Sequence, residues 1–157
     1  MKNIFKLMAL LLCFVGLTAC GDDEPAAVPT LEVTYANLHG TWQLTEREGQ
    51  PLPEGIYCYI TFNRKEKSFE MYQNFDSMYA RCITGRFKIE KDAYLGYIIS
   101  GKYDYQQGDW SDSYIVTDLL SSGSMTWTGK NDAQNVQRYQ RCDKVPADIL
   151  EQVGKAN

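Results

Sequence analysis

The stretch YCYITFNRKEKSFEMYQNF, Tyr57 to Phe75, alternates apolar and polar side chains on both sides of a charged tip. Cys58, Ile60 and Phe62 share one face of its first half, with Tyr57, Tyr59 and Thr61 on the other. In the second half Phe69 and Met71 oppose Glu70 and Tyr72. A period of two marks strands with one buried face, and the polar tip from Asn63 to Ser68 joins the two as a hairpin.

The same alternation extends in both directions. RCITGRFKIE (Arg81 to Glu90) puts Ile83, Phe87 and Ile89 on one face and Cys82, Thr84, Arg86 and Lys88 on the other, with a bend or bulge expected at Gly85. YLGYIISGKYDY (94–105), DSYIVTDL (112–119), SMTWTG (124–129) and VQRYQRC (136–142) follow, separated by turn-forming polar stretches. With TWQLTER (41–47) in front, eight strands are expected. Eight consecutive antiparallel strands suit an up-and-down barrel, since closure removes exposed edges. A two-sheet sandwich matches the same pattern. After the strands, residues 146–154 begin with Pro and end with Gly, the asymmetry of a short helix, with Ile149, Leu150 and Val153 on one face.

At 157 residues the chain has room for one domain. Residues 1–19 are read separately as a secretory signal: Lys2 and Lys6 precede an eleven-residue apolar run, Leu7–Leu17, too short to span a bilayer. Leu17-Thr18-Ala19-Cys20 resembles the lipobox of bacterial lipoproteins. That resemblance implies cleavage before Cys20 and acylation of its thiol and amine, and two or more chains anchor stably. Gly21-Asp22-Asp23-Glu24 resembles the Bacteroidetes signal that exports lipoproteins to the outer face of the outer membrane; retention on the periplasmic face is the alternative. Residues 20–37 then form a Pro-stiffened linker and 38–157 the barrel domain with its tail. Without the signal the net charge falls from −4 to about −6, and with no basic run nucleic acid is excluded as a partner.

Leu38-His39-Gly40-Thr41-Trp42, at the mouth of the first strand, resembles the G-x-W motif of lipocalins, and the domain is most similar to small lipocalin-like lipoproteins of Bacteroidetes. The resemblance implies that Gly40 permits a tight turn, that Trp42 plugs a closed barrel end, and that Arg141 or Arg138 on the last strand lies across it. It also implies a disulfide between Cys82 and Cys142, whereas Cys58, sharing a face with Ile60, reads as a buried thiol. Inward candidates for lining a ligand are Trp42, Leu44, Ile60, Phe62, Phe69, Met71, Ile83, Phe87 and Trp127.

Catalytic residues are not expected. His39 is the only histidine, so a His-based metal set is excluded, and no phosphate loop or nucleophile elbow occurs. Asp109, Asp112 and Asp118 read as loop acids. No cofactor or metal is expected. The expected role is binding a small apolar or amphipathic molecule. Small barrels are also filled by their own side chains, which would leave a protein-interaction or protease-inhibitor module. A third alternative is glycan binding by the loop YDYQQGDWSDSY (103–114), where Tyr103, Tyr105 and an exposed Trp110 would offer stacking faces.

Overall fold

A computed structural model of the chain describes residues 28–75, 77–105 and 108–155. The signal, Cys20 and the acidic part of the linker lie outside the described residues. Nine strands, antiparallel in every pairing, follow along the chain: β1 (Gly40–Arg47), β2 (Gln50–Pro51), β3 (Cys58–Asn63), β4 (Ser68–Gln73), β5 (Arg81–Asp92), β6 (Gly96–Tyr103), β7 (Tyr114–Thr117), β8 (Ser124–Gly129) and β9 (Val136–Cys142). Strand β2 is a two-residue fold-back on the end of β1. The other eight pair with their neighbours, and β9 returns to pair with β1 from Thr41↔Cys142 to Arg47↔Gln137. That last ladder closes an eight-stranded antiparallel barrel and disposes of the sandwich. A four-residue helix, α1 (Tyr35–Leu38), precedes β1, and α2 (Ala147–Gln152) follows β9.

The period-two faces place the core inside the barrel. Trp42, Ile60, Phe62, Phe69, Ile99, Met125 and Trp127 are fully buried there. Outside, Ile149 of α2 packs with Val145 over the outward rings of Tyr59 and Tyr72, with Leu150 and Val153 beside it. A latch holds the tail down: Lys155 Nζ lies 2.9 Å from Glu70 Oε1, whose other carboxylate oxygen accepts from the Tyr72 hydroxyl at 2.6 Å.

Two expectations change. Gly85 makes no bulge, since the β4–β5 and β5–β6 registers run through it unbroken. Its lack of a side chain makes room instead, because a Cβ there would lie 2.7 Å from the Phe69 ring. The irregularity sits in β1, where the register against β9 shifts between Leu44 and Glu46. The Cys82–Cys142 disulfide is absent and both thiols are free. Cys142 pairs with β1 and Cys82 with β4, so β1, β3 and β4 lie between them. At about 4.8 Å per strand that separation far exceeds the roughly 4.4–6.8 Å between Cα atoms that a disulfide spans.

Candidate functional site

The two barrel ends differ in what closes them. At the end where β1 begins, Trp42 donates its indole N–H to the Leu38 carbonyl at 2.9 Å. Arg141 lies over the ring, with Cζ 4.2 Å from its centroid, and donates to the carbonyls of His39 (2.5 Å) and Asn37 (2.7 Å). Gly40 is required twice over: its φ is +114°, and a Cβ would sit 2.7 Å from Arg141 Nη1. Arg138, the alternative partner, faces away and pairs with Glu46 at 3.2 Å. His39 belongs to the same closure, with Nδ1 2.8 Å from the Phe62 carbonyl oxygen. The incoming chain seals this end further, through a Leu31 N–H to Leu119 carbonyl bond and a Ser121 N–H to Pro29 carbonyl bond.

The opposite end is stoppered by a loop. After β6 the chain doubles back, with Tyr103 N–H bonded to the Gly108 carbonyl and Trp110 N–H to that of Gly101. This sets Trp110 opposite Gly101, and its indole enters the barrel over the space a side chain would fill: a Cβ on Gly101 would lie 2.3 Å from the ring. Trp110 is 8% exposed and packs against Phe69 (5.2 Å) and Trp127 (5.7 Å between centroids). The 103–114 loop therefore presents no exposed indole, contrary to the expectation. Its return to β7 is anchored by Asp112, whose Oδ1 accepts from Ser113 N–H and Asn131 Nδ2–H. Tyr105 alone of the three loop candidates is well exposed, at 80%, while Tyr103 turns inward against Phe69.

Beneath the stopper remains a cavity of about 170 Å³, walled by Leu44, Cys58, Met71, Phe75, Trp127 and the rings of Tyr103, Trp110, Tyr114 and Tyr139, with Arg47, Gln73, Ser111 and Gln137 as its polar members; it opens to solvent past the exposed Arg47 and Ser111. Of the sequence-expected lining, Leu44, Met71 and Trp127 reach it. Trp42, Ile60, Phe62, Phe69 and Phe87 fill the barrel elsewhere, and Ile83 borders a separate recess beside Tyr105. Gln137 and Tyr139 alternate with Arg141 along β9, a legible period of two. Arg47 was not legible, because the shift after Leu44 puts it, rather than Glu46, in register with Gln137. A larger recess of about 580 Å³ lies against β5 and β6, but half of the residues around it are exposed, Arg86, Lys88, Lys102 and Asp109 among them. The interior cavity is the better-built site.

Its inner wall carries neutral groups kept from water, with the charge of Arg47 at the rim. Burial pushes the Cys58 thiol up to about 12. Burial likewise raises the Tyr139 phenol, with Cys58 and Tyr114 adding to the effect and Arg47 opposing it. An acid whose pKa is higher folded than unfolded keeps its full contribution below the unfolded value. The contribution is lost above that value, because the unfolded chain releases the proton first. For Cys58 the window runs from about 9 to about 12, worth about 4 kcal/mol across it. The urea midpoint should therefore drop steeply as pH rises from 9 towards 12, and Cys58→Ala should flatten that slope. A midpoint unchanged up to pH 11 would contradict the buried neutral thiol.

A family model described as "Lipocalin-like domain" matches residues 38–138, from the residue that accepts the Trp42 hydrogen bond to the last strand. No curated protein matches the chain. Among the described residues, no group of His, Cys, Asp or Glu has the geometry to hold a metal ion.

Proposed function

The chain belongs to the family of lipocalin-like domains, and from that premise we propose that it is a carrier or sensor that holds one small molecule in the cavity beneath Trp110. The observation that carries this reading is the contrast between the ends. One is sealed by side chain and backbone together, the other by a single indole on a loop, above unfilled space. The volume sets the ligand's size. An apolar cavity of about 150 Å³ accommodates benzene, whereas drug-sized ligands need roughly 300–1,000 Å³. About 170 Å³ fits one substituted ring and excludes a long acyl chain. The role is binding rather than catalysis; His39 is committed to the sealed end.

The same reading includes an acylated Cys20 on the outer membrane, displayed at the cell surface. Its support is the lipobox-like Leu17–Cys20 and the acidic run behind it. The described chain enters at the sealed end, where Thr30 bridges to Leu120. A lipid on Cys20 would then turn the stoppered end away from the membrane, on a tether of eight residues that reaches at most about 28 Å.

Native mass spectrometry of protein purified from its own host tests the carrier reading. A stoichiometric adduct of one-ring size, lost on denaturation, is expected. An unloaded mass, together with no binding of any one-ring probe, would refute it.

A further inference from the structure

The indole N–H groups of Trp110 and Trp127 are buried and have no hydrogen-bond partner among the described residues. Both rings wall the interior cavity. A buried donor left unsatisfied costs about 1–3 kcal/mol, so two such groups around one small space are expensive unless something fills their valence. The third tryptophan shows the ordinary outcome, since Trp42 finds the Leu38 carbonyl. None of the polar side chains lining the cavity, Gln73, Ser111 and Gln137 among them, accepts from either indole. Gln137 Oε1 is taken by the Tyr139 hydroxyl at 2.7 Å and its Nε2 donates to Asn135, and the Cys58 thiol is a weak acceptor at best.

Charge adds a second, independent line. Arg47 stands at the rim with its side chain half exposed, and among the described residues no carboxylate lines the cavity. In a chain of net charge −4, a cavity lined by one cation and no acid is selective for a negative guest. The nearest acid, Glu48, meets Arg47 through Nε at 3.5 Å with both side chains about half exposed, a contact that solvent weakens; the guanidinium also lies over the Phe75 ring, 5.7 Å from its centroid, a contact with its face that leaves its N–H edge free to donate.

We propose that the ligand of this cavity is a small aromatic acid, a single ring bearing a carboxylate. The ring lies among Tyr103, Tyr114 and Tyr139, and the carboxylate accepts from the two indole N–H groups or from Arg47. The volume limits the guest to one ring, the aromatic walls favour a flat one, and the orphan donors and the arginine demand an acceptor with negative charge. This rests on the cavity being the binding site, and it replaces an apolar guest with an anionic one.

Benzoate and toluene separate the two ideas, because they share a ring and differ only in the acceptor. Calorimetric titration should show benzoate binding roughly tenfold or more tighter than toluene. Arg47→Gln should weaken benzoate by a similar factor and leave toluene unchanged. In ¹⁵N-labelled protein, benzoate should move the indole N–H resonances of Trp110 or Trp127 downfield, while that of Trp42 stays put as an internal reference for an intact fold. Toluene binding as tightly as benzoate would overturn this inference and leave the carrier reading standing. So would benzoate binding that neither Arg47→Gln nor the indole resonances register. Binding of neither probe would overturn both.

Discussion

Replacing Trp110 with alanine is expected to lower the stability of the barrel by about 3–5 kcal/mol, the range for truncating a buried aromatic, and to convert a one-ring cavity into one that admits larger guests. The indole contacts Phe69, Trp127 and Tyr114, and it covers Gly101, a position with no side chain of its own to fill the gap. Because the residue sits on a loop rather than on a barrel strand, the strand ladders do not depend on it, and the variant should still fold. Two measurements report the two halves: a denaturant melt for the stability loss, and titration with a fluorescent apolar probe too bulky for 170 Å³. Uptake by Trp110→Ala and not by the native protein is the expected pair. Equal exclusion by both would mean that the barrel is closed by something other than this indole. Trp110→Phe should fall between, since it keeps a ring in place with less volume.

The largest loss of stability is expected from the sealed end. Trp42 is fully buried, and Trp42→Ala removes its volume, strands the Leu38 carbonyl and leaves the Arg141 guanidinium without the ring it covers. The volume alone costs about 3–5 kcal/mol and the lost hydrogen bond about 1 more. Single domains are stable by only about 5–15 kcal/mol. The variant should therefore be unfolded or nearly so at 37 °C, visible as collapse of the near-ultraviolet circular dichroism. Arg141→Lys is the finer test of how the end is held. Lysine keeps the charge but loses the planar group that covers an indole while donating to two carbonyls. A loss of about 1–3 kcal/mol is expected, and no loss would show that the charge alone suffices.

Much of the fold was legible from Tyr57 to Phe75 outward, because strand alternation is a local property: each inward residue declares itself by its neighbours two away. Cys58, Ile60, Phe62, Phe69 and Phe87 all lie on the inward face expected of them. Gly40, Trp42 and Arg141 were readable for a different reason. Their roles came from the resemblance to the G-x-W motif, and the positive φ of Gly40 and the Arg141 guanidinium over the Trp42 ring match what it implies. Arg138 competed with Arg141 only because two arginines stand three apart on the same strand. The period-two rule puts them on opposite faces.

The rest required the closed barrel. Whether Trp110 is a solvent-facing stacking platform or an interior stopper depends on a loop folding back along β6 onto Gly101, and no local pattern encodes that return. The cysteines Cys82 and Cys142 share the outer surface, but their separation is set by the number of strands between them, a quantity that exists only once β9 has met β1. Arg47 reaches the cavity because one register shift in β1 exchanges it with Glu46. By itself, then, the sequence determined the inward faces of the regular strands, which follow from short-range alternation, and through its resemblance to the G-x-W motif the end that Trp42 plugs. Only the tertiary structure decided how much space is left and which donors surround it, because a cavity is the remainder after every long-range contact has been made.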